Sequence, residues 1–157
     1  MFKYNTLIKF LFAIFSISFI ACSNDDNDEK HDHADAEGLV LKIEEQTIVT
    51  YKEGVVTGSL TISDTAETEV ELAFLDDDGD EFVPHEDDGF TPEYVVSDTN
   101  IFVVEAEDGE HNHSSEETHL AFHIEGKQVG TATLTIKLLH NGHSDFTSKE
   151  IPVIVQN

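Results

Sequence analysis

Nine histidines stand in this chain of 157 residues, and most have an acidic residue close by in sequence. Imidazole and carboxylate together are ligands of Zn²⁺, and imidazole also suits Cu²⁺ and Ni²⁺. Soft ligands are scarce, because the one cysteine is Cys22 and the one methionine is Met1. A Cu⁺ site, which calls for thiolate or thioether sulfur, is therefore not expected.

The sharpest spacing is His140-Asn141-Gly142-His143. Asn-Gly accepts the positive φ of a two-residue hairpin turn, which sets the flanking residues opposite each other with Cβ atoms about 5 Å apart. Two imidazoles so placed can chelate one ion. Continuing that register pairs Asp145 with Leu138 and puts its carboxylate on the face of His143, as a third ligand. His119 and His123 share a face of one strand but lie about 13 Å apart along it, too far for a common ion. If strands over 119–125 and 131–140 run antiparallel, His119 sits at the end of the fold that also carries the hairpin. The loop with His111 and His113 leads into that same end, and Glu110, Glu116 and Glu117 add carboxylates. The expected metal set is thus His140, His143, Asp145, His119, His111 and His113, with Zn²⁺ as the ion and Cu²⁺ or Ni²⁺ as its substitutes. His31 and His33 form a secondary capture point, while His85 and His123 receive no role. The plainer reading is a set of polar residues at a wet hairpin tip and in a solvated loop.

The run Asp76-Asp77-Asp78-Gly79-Asp80-Glu81 offers oxygens for Ca²⁺ through Asp76, Asp78 and Asp80. An EF-hand with Gly79 at its sixth position would need an acid at 74, where Phe74 stands. An acidic turn is the commoner use of such a run, so a calcium-stabilised domain is the lesser expectation. No Gly-rich phosphate loop, His-Glu-x-x-His pair, Gly-x-Ser-x-Gly elbow or catalytic cysteine occurs, and the sequence reads as binding without catalysis.

The elements that must position these residues are strands. From Leu39 on, apolar and polar residues alternate and β-branched residues and Phe are frequent, the period of half-buried strands. The pattern predicts strands at 39–44, 47–51, 56–62, 70–75, 94–97, 101–106, 119–125, 131–140 and 151–155, with tight turns at Asp78-Gly79 and Asn141-Gly142. Acidic loops are expected over 84–92 and 107–117. Seven to nine short strands point to a single antiparallel sandwich over 39–157.

Lys3 and Lys9 precede an apolar run from Leu11 to Ile20, too short for a membrane span of about 20 residues and fit for a secretory signal. The run ends Phe19-Ile20-Ala21-Cys22, which resembles the lipobox of bacterial lipoproteins. That resemblance implies a signal peptide over 1–21, cleavage before Cys22 and several acyl chains on that cysteine. Residues 22–38 read as a disordered acidic tether, and Ser23-Asn24-Asp25-Asp26-Asn27-Asp28-Glu29 resembles the sorting segment of surface lipoproteins in some Gram-negative bacteria. Two of the eight lysines lie before Cys22 and all 33 acids after it, so the exported chain would carry 33 negative and 6 positive groups, a formal charge of −27. Nucleic acid is excluded as a partner by that charge, and cations are favoured.

The stretch Tyr94-Val95-Val96-Ser97-Asp98-Thr99-Asn100-Ile101-Phe102-Val103-Val104, with Gly130-Thr131-Ala132-Thr133-Leu134-Thr135-Ile136, resembles the second half of bacterial immunoglobulin-like domains. Tyr94 departs from the Trp the family often has, and residues 107–117 form an insertion. The expectation is therefore all-β: one antiparallel immunoglobulin-like β-sandwich behind a lipoprotein signal peptide and tether. Its expected function is capture or buffering of a divalent transition metal at the outer membrane, beside a transporter or receptor. The alternative is an immunoglobulin-like adhesin or interaction module, or an accessory subunit of an outer-membrane complex.

Overall fold

The structure, a computed structural model, describes residues 36–84, 88–106 and 120–157. They belong to one compact unit, Asp32 to Asn157. Its twelve described strands are β1 (Gly38–Ile43), β2 (Gln46–Lys52), β3 (Val55–Gly58), β4 (Leu60–Ser63), β5 (Glu67–Leu75), β6 (Glu81–Phe82), β7 (Phe90–Val96), β8 (Phe102–Ala106), β9 (Leu120–Gly126), β10 (Gly130–His140), β11 (His143–Thr147) and β12 (Ile151–Gln156). Ahead of β1, Ala36 already packs against the core and the Glu37 N–H donates to the Leu75 carbonyl.

Two sheets face each other. Sheet A runs β3-β2-β1-β5-β9-β8, with β6 beside β5; sheet B runs β11-β10-β12-β4, with β7 on the other edge of β10. The subset β1-β5-β9-β8 against β7-β10-β12 has the four-on-three division of an immunoglobulin constant-type sandwich. Pairing is antiparallel except between β12 and β4, which run parallel with Val153 beside Leu60. That exception follows from the chain crossing from sheet A to sheet B after β3. The expected strand over 56–62 is accordingly two, broken where Gly58 takes φ +91 and lies so close to the Ile48 carbonyl that a Cβ would stand 2.1 Å from it.

Alternation decides which side chains go inward. On β10 the buried residues are Ala132, Leu134, Ile136, Leu138 and His140. On β5 they are Val70, Leu72 and Phe74, with Leu75 buried beside them. Leu75 apart, the apolar members among these meet Leu39, Leu41, Phe102, Phe122 and Ile124 from sheet A and Leu60, Ile62, Ile151, Val153 and Val155 from sheet B. Each side chain of this size contributes about 1.5–3 kcal/mol when taken out of water. Phe146 crosses the gap, meeting Phe74 edge-on at 5.5 Å and Tyr51 at 5.8 Å. The acidic loop expected over 84–92 is cut short, because Phe90 (8 % exposed) already belongs to the inward series that continues through Tyr94 and Val96.

β11 and β12 lie in line on one edge of β10, joined by an irregular step. There the buried Ser148 stands in for backbone: its N–H donates to the Ile136 carbonyl at 2.8 Å, and its Oγ accepts from the Ile136 N–H at 2.9 Å. The turn at 76–80 is also built by a side chain, the Asp76 Oδ1 accepting the Gly79 and Asp80 N–H groups at 2.8 Å each. This makes a five-residue connection between β5 and β6 rather than a two-residue one at Asp78-Gly79. The tightest turn that the sequence hides is Glu44-Glu45, which joins Ile43 to its partner Gln46 with both residues at positive φ (50 and 64). Glutamates carry no advantage in that region, where a side chain costs about 1–2 kcal/mol per residue.

Replacing Glu44-Glu45 by Asn-Gly should therefore raise stability by about 1 kcal/mol, seen as a melting temperature higher by roughly 3 °C. The opposite is expected at the β11–β12 step: Ser148→Ala leaves the buried Ile136 N–H unsatisfied and should cost about 1–3 kcal/mol in denaturant unfolding.

Candidate functional site

The turn between β10 and β11 has the expected form. His140 pairs directly with His143, and Asn141 and Gly142 both take positive φ (50 and 84). The tip is fastened from the far side as well, since the Asn141 N–H donates to the Gly89 carbonyl at 3.0 Å and Phe90 is the β7 partner of His140.

The two imidazoles differ in environment. The His140 side chain is 9 % exposed and stacks on the Phe90 ring with centroids 4.4 Å apart and planes 23° from parallel. Its Nδ1 lies 3.6 Å from the Asp145 Oδ2, and the Asp145 side chain is itself only 7 % exposed. His143 is exposed at the mouth of the turn.

Asp145 does not occupy the register expected from the sequence. Leu138 pairs with Phe146, and a bulge between Leu138 and Leu139 leaves Asp145 as the extra residue of β11. The cause is Phe146: uninterrupted pairing would give the Leu138 partnership to Asp145, and the one-residue slip brings Phe146 onto the inward face instead. The carboxylate thereby reaches the core side of the turn, with its Oδ2 3.6 Å from the His140 Nδ1.

The wider gathering rests on residues outside the described ones. His111, His113 and His119, with Glu110, Glu116 and Glu117, lie there, as do Cys22, His31, His33 and His85. What is described is the frame: β9 and β10 belong to different sheets, yet Leu120 pairs with Leu72, and Phe74, two residues further on, meets Phe146 beside Leu138. The start of β9 and the end of β10 thus share one end of the sandwich. Among the described residues no group of three His, Cys, Asp or Glu side chains is placed to hold one ion. Asp76, Asp78 and Asp80 are part of that result, and an oxygen of Asp76 is engaged by the backbone of its own turn.

Two features escaped sequence reasoning. On the outward face of sheet A, His123 sits between its cross-strand partners Glu69 and Glu105, with its Nδ1 3.2 Å from the Glu67 Oε1. Glu67 faces Glu125 directly, and Lys127 bonds Glu125. The outward face of sheet B is the converse. Thr131, Thr133 and Thr135 on β10 lie among Val95 on β7 and Pro152 and Ile154 on β12. The charges on its described outward strand positions are Glu93 and Lys137, which bond each other at 2.9 Å. The signals were present as the Glu-x-Glu-x-Glu of 67–71 and the Thr-x-Thr-x-Thr of 131–135, but which sheet each strand joins is not local information.

At Asp98 the exposed carboxylate accepts the backbone N–H and the side-chain amide of Asn100, at 2.9 and 2.8 Å. These bonds, the backbone one foremost, hold its pKa below the usual carboxylate value.

No family model and no curated protein matches the chain. Among solved structures it is similar to domains 5 and 6 of the S-layer protein SbsC, at 15 % identity and a TM-score of 0.43 over 64 % of this chain and 40 % of that one. Domains 4 and 5 of the same protein give 14 % identity and a TM-score of 0.43 over 76 % and 47 %. The chain spans less than half the length of either, and at such identity the likeness concerns fold alone.

Proposed function

We propose that the protein is exported, held to the outer membrane by lipid on Cys22, and captures or buffers a divalent transition metal, Zn²⁺ foremost, at the β10–β11 turn. The observation that carries this reading is the His140–His143 pair across a fixed two-residue turn, with a buried carboxylate against the Nδ1 of His140.

Metal-binding histidines commonly present one ring nitrogen to the ion while a carboxylate orients the other. Asp145 faces Nδ1, so the nitrogen His140 would offer is Nε2. Asp145 then acts as the orienting group and not as the ligand assigned to it from the sequence. His143 supplies the second nitrogen from the exposed side, where an ion can enter and leave. Two protein nitrogens fill half of a tetrahedral shell, and the rest falls to water or to His111, His113 or His119. An incompletely enclosed shell suits capture and release more than a permanent structural ion. The net charge draws cations toward the surface, and Cu²⁺ or Ni²⁺ would compete for the same nitrogens.

Calorimetric titration of the chain from Lys30 onward with Zn²⁺ should give stoichiometric binding that disappears in the His140→Ala, His143→Ala double variant. Weak binding that the double variant leaves unchanged would remove the metal reading. Asp145→Asn separates orientation from ligation: a loss of about 10–100-fold in affinity at unchanged stoichiometry is expected if the carboxylate only holds the ring.

A further inference from the structure

Three turns and the entry of the chain gather at one end of the sandwich. β1 begins at Gly38, one residue before Leu39, whose ladder partners are Tyr51 and Phe74. Both of those rings meet Phe146, and Phe146 pairs with Leu138, two residues before His140. The chain therefore enters the domain level with the His140–His143 turn. Gly38 also pairs with Lys52 and with Leu75, which brings the β2–β3 turn at Glu53-Gly54 and the acidic turn at 76–80 to the same end. The Lys52 ammonium lies over Gly79 of that acidic turn. The opposite end carries Lys127-Gln128-Val129 and the close of β12, where Val155 pairs with Gly130. We propose that the anchored protein presents the end with the histidine turn to its membrane, so that a partner embedded in that bilayer meets the turn before a soluble one does.

The inference rests on the lipid at Cys22 proposed above and is argued from lengths. Cys22 to Glu37 is a stretch of 16 residues that the sequence reads as a solvated tether. A coil of that length spans about 20–25 Å on average and about 55 Å at full stretch. β10 has 11 residues and runs from one end of the domain to the other, a length of about 36 Å. The average tether is thus shorter than the domain. Turning the far end to the bilayer requires the tether to double back along the whole sandwich, and few of its conformations do so.

The acids at this end set how closely it approaches. Glu53, Asp77, Asp78, Asp80 and Asp88 are exposed there. Anionic lipid repels them over about 10 Å at 0.1 M salt, less than the mean reach of the tether. Repulsion therefore holds the turn off the lipid without reversing the domain, and a layer of water remains through which ions reach the exposed His143.

The test uses the full-length lipidated chain in vesicles of phosphatidylcholine and phosphatidylglycerol. Cys22 is the only native cysteine and its thiol is consumed by the lipid, so one added cysteine takes a fluorophore cleanly. Asp78→Cys marks the entry end and Gln128→Cys the other, both at exposed turn positions. Energy transfer to acceptor-labelled lipid should be severalfold greater from position 78 than from position 128. Inserting about 30 glycine and serine residues after Glu29 should bring the two values together, because the coil then matches the length of the domain. Flotation with the vesicles reports anchoring separately, and Zn²⁺ titration of the same samples reports the metal. Equal transfer from the two positions, greater transfer from position 128, or a chain that does not float with the vesicles would overturn the proposal. Unequal transfer in a chain that binds no Zn²⁺ would uphold the facing of the domain and remove only the metal reading.

Discussion

Phe146 is the side chain on which the arrangement turns. It crosses from sheet B to meet Tyr51 and Phe74 of sheet A, and it lies only a few residues from a tight turn. A hairpin whose register is dictated by its turn would present Asp145 in that place. Burying the aromatic ring outweighs keeping the ladder regular, and one bulge resolves the conflict. From that bulge follow the burial of the Asp145 carboxylate, its approach to His140, and the division of the histidine pair into one fixed ring and one open ring. Core packing has thus shaped the chemistry at the surface.

The sandwich also manages a heavy excess of acids. Glutamates opposite each other, as at Glu67 and Glu125, are unfavourable pairs, and they are relieved by Lys127 and by His123 reaching Glu67. Lys42 does the same for Glu81, and Lys137 for Glu93. Exposed pairs of this kind contribute little individually, about 0–1 kcal/mol, so their main effect is to keep repulsion from accumulating on one sheet. Sheet B carries one such pair, Glu93–Lys137, on its described outward strand positions and is otherwise rich there in threonine, which favours strands through its branched Cβ.

Most strands were legible in the sequence because alternation is local. Leu39, Leu41, Val70, Leu72, Leu134 and Ile136 each announce an inward face by their period-two spacing, and each is buried. What stayed hidden was set by distant partners. The break at Gly58 depends on the Ile48 carbonyl, the Glu44-Glu45 turn on the need to close β1 against β2, and the early start of β7 on the room for Phe90 in the core. The site shows the same division. The Asn-Gly turn and its flanking histidines could be read directly, whereas the position of Asp145 depended on a ring contact made with another sheet. The contrast between the two outward faces required knowing strand order, which a single sequence does not print.

The parallel pairing of β4 with β12 has a further consequence, for the order of events in folding. Leu60 and Ile62 lie near the front of the domain, yet their ladder partner is Val153 to Gln156 at its far end. Sheet B cannot be completed until that last strand has been delivered, however early the others form. Closing a loop of such length is slow compared with making hairpins. The sandwich therefore locks only when nearly all of the domain is present, because β4 finds its ladder in the last described strand.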